Sequence, residues 1–183
     1  MKIMKIALIV FVCLVAICIA LYAYYGGFYK PTIQMAEQGG ETVVYNEVVG
    51  DYSQSGDVMD QIYTLLKEEY KIETFKGFGI YYDNPKMVEK SKLRSDIGCI
   101  LEPADIEKVS TLNGNTKTKV LPKKQYIVTE FPYKGKMSVM MSLMKVYPAL
   151  SKYAEDNAIA GAGAVMEIYD VPNKKILYRQ EIK

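Results

Sequence analysis

From Ile6 to Tyr29 the chain carries no charged residue across 24 positions, and beyond it short β-branched runs alternate with amphipathic stretches. As a helix the uncharged run would reach roughly 36 Å at about 1.5 Å per residue, enough to cross a hydrocarbon core of about 30 Å with some tilt. Residues 1–29 are therefore expected to be a membrane anchor. PTIQMAEQGG, ending at Gly40, has little periodicity and closes on paired glycines, so residues 30–40 read as a linker and 41–183 as the folded domain. Within it, Thr42 to Val49 is rich in β-branched residues and predicts a strand. A helix is expected from Ser55 or Asp57, with Val58, Met59, Ile62, Leu65 and Leu66 on one stripe. Gly77-Phe78-Gly79 opens a second strand, Ile80 to Asp83, which Asn84-Pro85 ends, and Asp96 to Leu101 forms a third.

The same order returns after a polar connection, Glu102 to Lys124, whose turn signal is Asn113-Gly114-Asn115. Tyr126 to Phe131 reads as a strand, and Val139, Met140, Leu143, Val146, Tyr147 and Leu150 mark a helix. Pro148 should bend or break that helix near Met144, since it removes a backbone hydrogen bond. Gly161-Ala162-Gly163 opens a strand as Gly77-Phe78-Gly79 did, 84 positions earlier, and Ile176 to Ile182 closes the chain. Two β-α-β-β halves, 41–102 and 125–183, are thus expected to build one antiparallel sheet with two helices on one face. The fold class is α+β, preceded by a transmembrane helix.

Charge and composition narrow the function. A cleaved secretory signal has an apolar stretch of only about 7–15 residues, so the longer run here favours an uncleaved signal anchor, with Tyr22, Tyr24 and Tyr25 at the far interface. Lys2 and Lys5 precede the span and Lys30 follows it, a bias that puts the N-terminus in and the soluble domain outside the cytosol. The chain has no histidine, which excludes a Ser-His-Asp triad and any His-containing zinc site. Beyond the span the charges nearly balance, without the basic excess that nucleic acid demands. Two of the three cysteines, Cys13 and Cys18, lie in the span and leave Cys99 alone, so no disulfide framework, metal centre or cofactor site is expected.

GFGIYYDNP followed by RSDIGCILEP, and YPALSKYAEDN followed by GAGAVMEIYDVP, resemble the two halves of the GyrI-like small-molecule-binding family. With TEFPYKGKMSVMMSLMKVYPAL after a single span, the chain is similar to the membrane-anchored single-span branch of that family. The resemblance implies a pseudo-two-fold sheet with a ligand cleft between its halves, and a sensor or adaptor. The chain departs from the family in having no DNA-binding segment before the domain and no tryptophan to line a pocket.

Alternation along the strand puts Gly163, Val165, Glu167 and Tyr169 on one face. The resemblance makes Glu167 the acid of the pocket and sets Tyr147 at its edge; otherwise Glu167 is an ordinary solvent-facing strand residue. The repeat offset adds Tyr81 and Asp83, while Ile80 and Tyr82 fall on the opposite, core face. Met137, Met140, Met141 and Met144 read as core filling, and the lysines at 86, 90 and 92 as a solvated connection. The leading function is non-catalytic: a membrane-tethered domain that binds a small apolar or cationic molecule or a protein partner. The alternatives are hydrolysis of a small electrophile with Glu167 as base, for which no activated nucleophile stands nearby, and a protein-interaction adaptor with no cleft. The expected partners are the lipid bilayer and that ligand or protein, not nucleic acid.

Overall fold

The computed structural model describes residues 2–109, 116–159 and 161–182. A helix α1 (Lys2–Tyr24) starts before the uncharged run and ends five residues short of its end at Tyr29, and it buries none of its residues against the rest of the chain. It is long and apolar enough to cross a membrane. The domain then runs β1 (Gln34–Gln38), β2 (Thr42–Val49), α2 (Ser55–Glu68), β3 (Lys76–Tyr81), β4 (Arg94–Ile100), β5 (Lys117–Val120), β6 (Lys124–Pro132), α3 (Lys136–Asp156), β7 (Ala162–Asp170) and β8 (Lys175–Ile182). All eight strands join one sheet in the order β1-β6-β8-β7-β3-β4-β2-β5, and every pairing is antiparallel.

The expected linker over 30–40 is corrected: Gln34–Gln38 is a strand, and the domain starts before Glu41. Gln-Met-Ala-Glu-Gln has no β-branched residue, and it is the ladder to β6 that makes it a strand. β5 lies inside the expected polar connection for the same reason, held along β2. The Asn113-Gly114-Asn115 turn falls outside the described residues. The strand expected at Ile80 to Asp83 runs instead from Lys76 to Tyr81, with both glycines inside it.

These two unforeseen strands shape the sheet. Gln38 stands opposite Lys124 and Thr42 opposite Val120, so β1 continues into β2 and β5 into β6 in one unbroken register. Hydrogen bonds from Gly40 N to Leu121 O and from Leu121 N to Glu41 O carry the ladder through the bend. Gly39 makes that bend possible: its φ is +110°, and a Cβ would stand 2.1 Å from the Pro122 carbonyl oxygen. The bent ribbon joins the two ends of the sheet and curls it, so its inner face becomes a core of Val43, Tyr45, Phe78, Ile100, Leu121, Met166 and Ile168. A fork from Arg179 to Glu41, at 2.6 and 3.0 Å, straps the bend to β8.

Both helices pack on the outer face. α2 sets Ile62 and Leu66 on Val44 and Cys99, and α3 sets Val146, Leu150 and Ala154 on Ile127, Val165, Ile176 and Tyr178. α3 is unbroken through Pro148, contrary to a break at that point. Its buried stripe is Ser138, Ser142, Val146, Leu150 and Ala154, an i, i+4 row whose small members let it lie close to the sheet. Of the methionines expected in the core, Met141 packs against it, whereas Met137, Met140 and Met144 face outward, Met140 at 59% and Met144 at 72% exposure. Between the two helices lie β3 and β7, side by side in the middle of the sheet.

Candidate functional site

The seam between α2 and α3 is floored by two glycines and a carboxylate. Gly79 on β3 pairs with Glu167 on β7, which pairs in turn with Tyr178 on β8. Met59 of α2 packs over Gly77, where a Cβ would meet its sulfur at 2.1 Å, and the Tyr81 phenol lies back over Gly79, where a Cβ would stand 2.6 Å from its oxygen. The missing side chains on β3 thus make room for groups that gather around Glu167.

Glu167 is 2% exposed and makes no ion pair among the described residues. Its two oxygens are held by phenols: Tyr147 Oη donates to Oε1 at 2.7 Å and Tyr169 Oη to Oε2 at 2.6 Å. Burial pushes the Glu167 carboxyl above its ordinary value, and the two phenol hydrogen bonds oppose the shift without cancelling it. Burial, then the Glu167 charge, drives Tyr147 and Tyr169 well above the ordinary phenol range, and the same causes raise Tyr81 and Tyr178. All four rings stay protonated at physiological pH. Glu167 is therefore a buried acid in a wall of neutral hydrogen-bond donors and aromatic faces, with no ion pair to balance it among the described residues.

Of the residues expected here, the fold brings together Glu167, Tyr81, Tyr147 and Tyr169. Asp83 is elsewhere. β3 ends at Tyr81, and Asp83 in the following turn is gripped by Arg94, whose Nη2 and Nε donate to it at 2.7 and 3.0 Å. The guanidinium holds its carboxyl below the usual value. Tyr82 is not core either; it is partly exposed and donates to Asp96 at 2.7 Å on the inner face, beside Lys119.

Two further tyrosines belong to the cluster. Tyr178, fully buried, meets Ser142 of α3 at 2.5 Å and packs edge-on to Tyr147. It shares a face of β8 with Ile176, two positions before it, in the core under α3. Tyr52 stands edge-on to Tyr81, its centroid 4.8 Å away, and its hydroxyl reaches the Asp83 and Arg94 carbonyls. It comes from a turn with no periodicity, so nothing in the sequence marked it. Cys99 is inert: burial pushes its thiol up to about 11. No group of three or more His, Cys, Asp or Glu among the described residues is placed to hold a metal ion.

Residues 31–182 match the family described as the GyrI-like small molecule binding domain. Testis-expressed protein 264 of Homo sapiens is 28% identical over 134 residues, which cover 70% of this chain and 41% of that protein. The chain thus spans less than half the length of this curated relative. Among solved structures, the EcmrR–DNA complex in EcmrR-RPo superposes with a TM-score of 0.60 at 15% identity, over 90% of this chain and 64% of that one. The EcmrR C-terminal domain gives 0.56 at 16% identity, over 84% and 99%. At these identities the structures share the fold.

Proposed function

The chain belongs to the GyrI-like small molecule binding domain family, and we propose that it is a membrane-tethered, non-catalytic receptor for a small cationic aromatic molecule that takes Glu167 as its counter-ion. The observation that carries this reading is the buried carboxylate of Glu167, held only by the phenols of Tyr147 and Tyr169 among the described residues. Holding an acid at 2% exposure, with no basic partner among the described residues, costs stability. A ligand cation would supply the missing charge, and the surrounding tyrosine rings would attract it through their faces. Tyr147 and Tyr169 now cap both oxygens, so entry requires these phenols to turn aside.

The two halves support the same reading. β3, β4 and β2 lie on one side of the central β3–β7 pair, and β7, β8 and β6 lie in the same relative order on the other. We infer a duplication, with the seam on its pseudo-two-fold axis. α1 supplies the anchor in this reading, with the N-terminus in.

Dye binding by the full chain and by Glu167→Gln tests the proposal. The substitution keeps size and loses charge, and it should weaken a cationic aromatic dye by about 1.5–3 kcal/mol. Unchanged affinity would remove Glu167 from any ligand role. A second reading rests on the short bonds from Tyr147 and Tyr169 to Glu167, which pair a carboxylate base with phenol acids as hydrolysis of a small electrophile would require. Turnover that Glu167→Gln abolishes would favour it.

A further inference from the structure

The loops that receive α1 combine exposed apolar side chains with unpaired lysines. Gly26, just past the helix, is buried on Phe131, and Tyr29 stacks edge-on to the same ring at 5.2 Å. Lys134 lies over the Tyr24 ring, 4.3 Å from its centroid. The loop from β6 to α3 is tied to the β7–β8 turn by a bond from Tyr133 N to Lys174 O. The end of the last helical turn of α1, the start of α3 and the β7–β8 turn therefore form one end of the molecule.

At that end Phe28, Met137 and Val171 are exposed, Val171 to 56%. Lys134, Lys136 and Lys174 are exposed beside them and make no ion pair among the described residues. The acids nearby are occupied: Glu130 pairs with Lys175 at 2.9 Å, and Asp170 is buried and takes its hydrogen bonds from Asn173. Basic loops without acidic partners, interleaved with apolar tips and contiguous with a span, have the chemistry of a membrane interface.

We infer that this end of the domain docks onto the bilayer it is anchored in, Lys134, Lys136 and Lys174 binding anionic headgroups while Phe28, Met137 and Val171 enter the interface. The inference rests on reading α1 as a membrane anchor. It also fixes the pose of the domain, since a tether alone leaves it free to tumble. A lysine near an anionic surface multiplies the docked population about five-fold, so three of them outweigh the freedom of a short tether.

The chain has no tryptophan, which makes single-tryptophan variants clean reporters. Full-length Val171→Trp is reconstituted in phosphatidylcholine vesicles with and without phosphatidylserine, in the presence of acyl-brominated lipid. Val15→Trp in the span and Val49→Trp at the far end of β2 serve as comparisons. Docking gives strong quenching at 171 in the anionic vesicles, none at 49, and at least about a ten-fold loss of docked protein when Lys134, Lys136 and Lys174 are all changed to Glu. Quenching at 15 without quenching at 171 would overturn the docking and leave the anchor standing. No quenching at 15 would remove the anchor and the docking with it. Equal quenching at 171 in phosphatidylcholine alone would overturn the recognition of anionic headgroups.

Discussion

A carboxylate that folding buries beneath phenols titrates differently from one that folding pairs with a guanidinium, and Glu167 and Glu41 supply one of each. The folded-state pKa of Glu167 is raised, so its favourable contribution is full below the ordinary carboxylate value and is lost as pH rises through the raised one. The pKa of Glu41 is lowered, the Arg179 bonds and charge outweighing burial, so its contribution is present above the ordinary value and is lost as pH falls through the lowered one. Glu41→Gln should therefore cost about 3 kcal/mol at neutral pH, because it leaves a buried Arg179 unpaired, and progressively less in acid. Glu167→Gln should flatten the loss of stability between mildly acidic and neutral pH. Melting curves of both variants across pH check the signs; a neutral-pH penalty for Glu41→Gln that persists undiminished in strong acid would contradict the first. The glycines act through space. A Cβ at Gly79 would strike the Tyr81 phenol, and one at Gly163 would stand 2.7 Å from the Glu181 Cβ. Gly79→Val and Gly163→Val should each cost about 1–3 kcal/mol, and only the first should also disturb dye binding. Equal thermal stability to the parent at either position would count against this packing.

At the scale of elements, strands with β-branched runs and helices with a 3.6-residue stripe were legible, and the elements made by their neighbours were not. Thr42–Val49 and Lys124–Pro132 carry their own pattern, whereas Gln34–Gln38 and Lys117–Val120 become strands because the bent ribbon gives their backbones partners. The periodicity of α3 identified the helix and most of its inward stripe, since Val146 and Leu150 are buried and Val139 and Tyr147 pack against the core, but it included Met140 and Leu143, which are exposed, and missed Ser138 and Ser142. Ser138 and Ser142 pack inward because their hydroxyls bond to backbone carbonyls at 2.7 Å, which satisfies them and lets the helix approach, and Met140 and Leu143 turn outward. A fragment starting at Pro31 keeps the β1–β6 ladder and the Thr129 Oγ1 bond to Thr32 O at 2.8 Å, whereas one starting at Glu41 bares the edge of β6. The longer fragment should melt cooperatively and the shorter should melt lower or aggregate. Indistinguishable melting would show that β1 adds nothing to the fold.

The whole molecule joins an apolar helix to a curled sheet with its candidate site on the outer face, between two helices. Carbonate extraction should leave the full chain in the membrane pellet, and protease added to intact spheroplasts should degrade the domain if the N-terminus is in; release by carbonate would contradict the anchor. Much of the site was legible, because strand alternation placed Glu167 and Tyr169 on one face, the repeat offset added Tyr81 and the family resemblance added Tyr147. The grip of Arg94 on Asp83 and the arrival of Tyr52 from a distant turn were not, since both depend on where β3 ends and on how the loops around it fold. The most direct test of Glu167 as a ligand counter-ion is the affinity for a cationic aromatic dye, measured by titration across pH in the parent and in Glu167→Gln. The parent should bind more tightly as pH rises through the raised pKa of Glu167, and the variant should bind weakly with no such rise. A pH profile shared by both proteins would contradict the assignment.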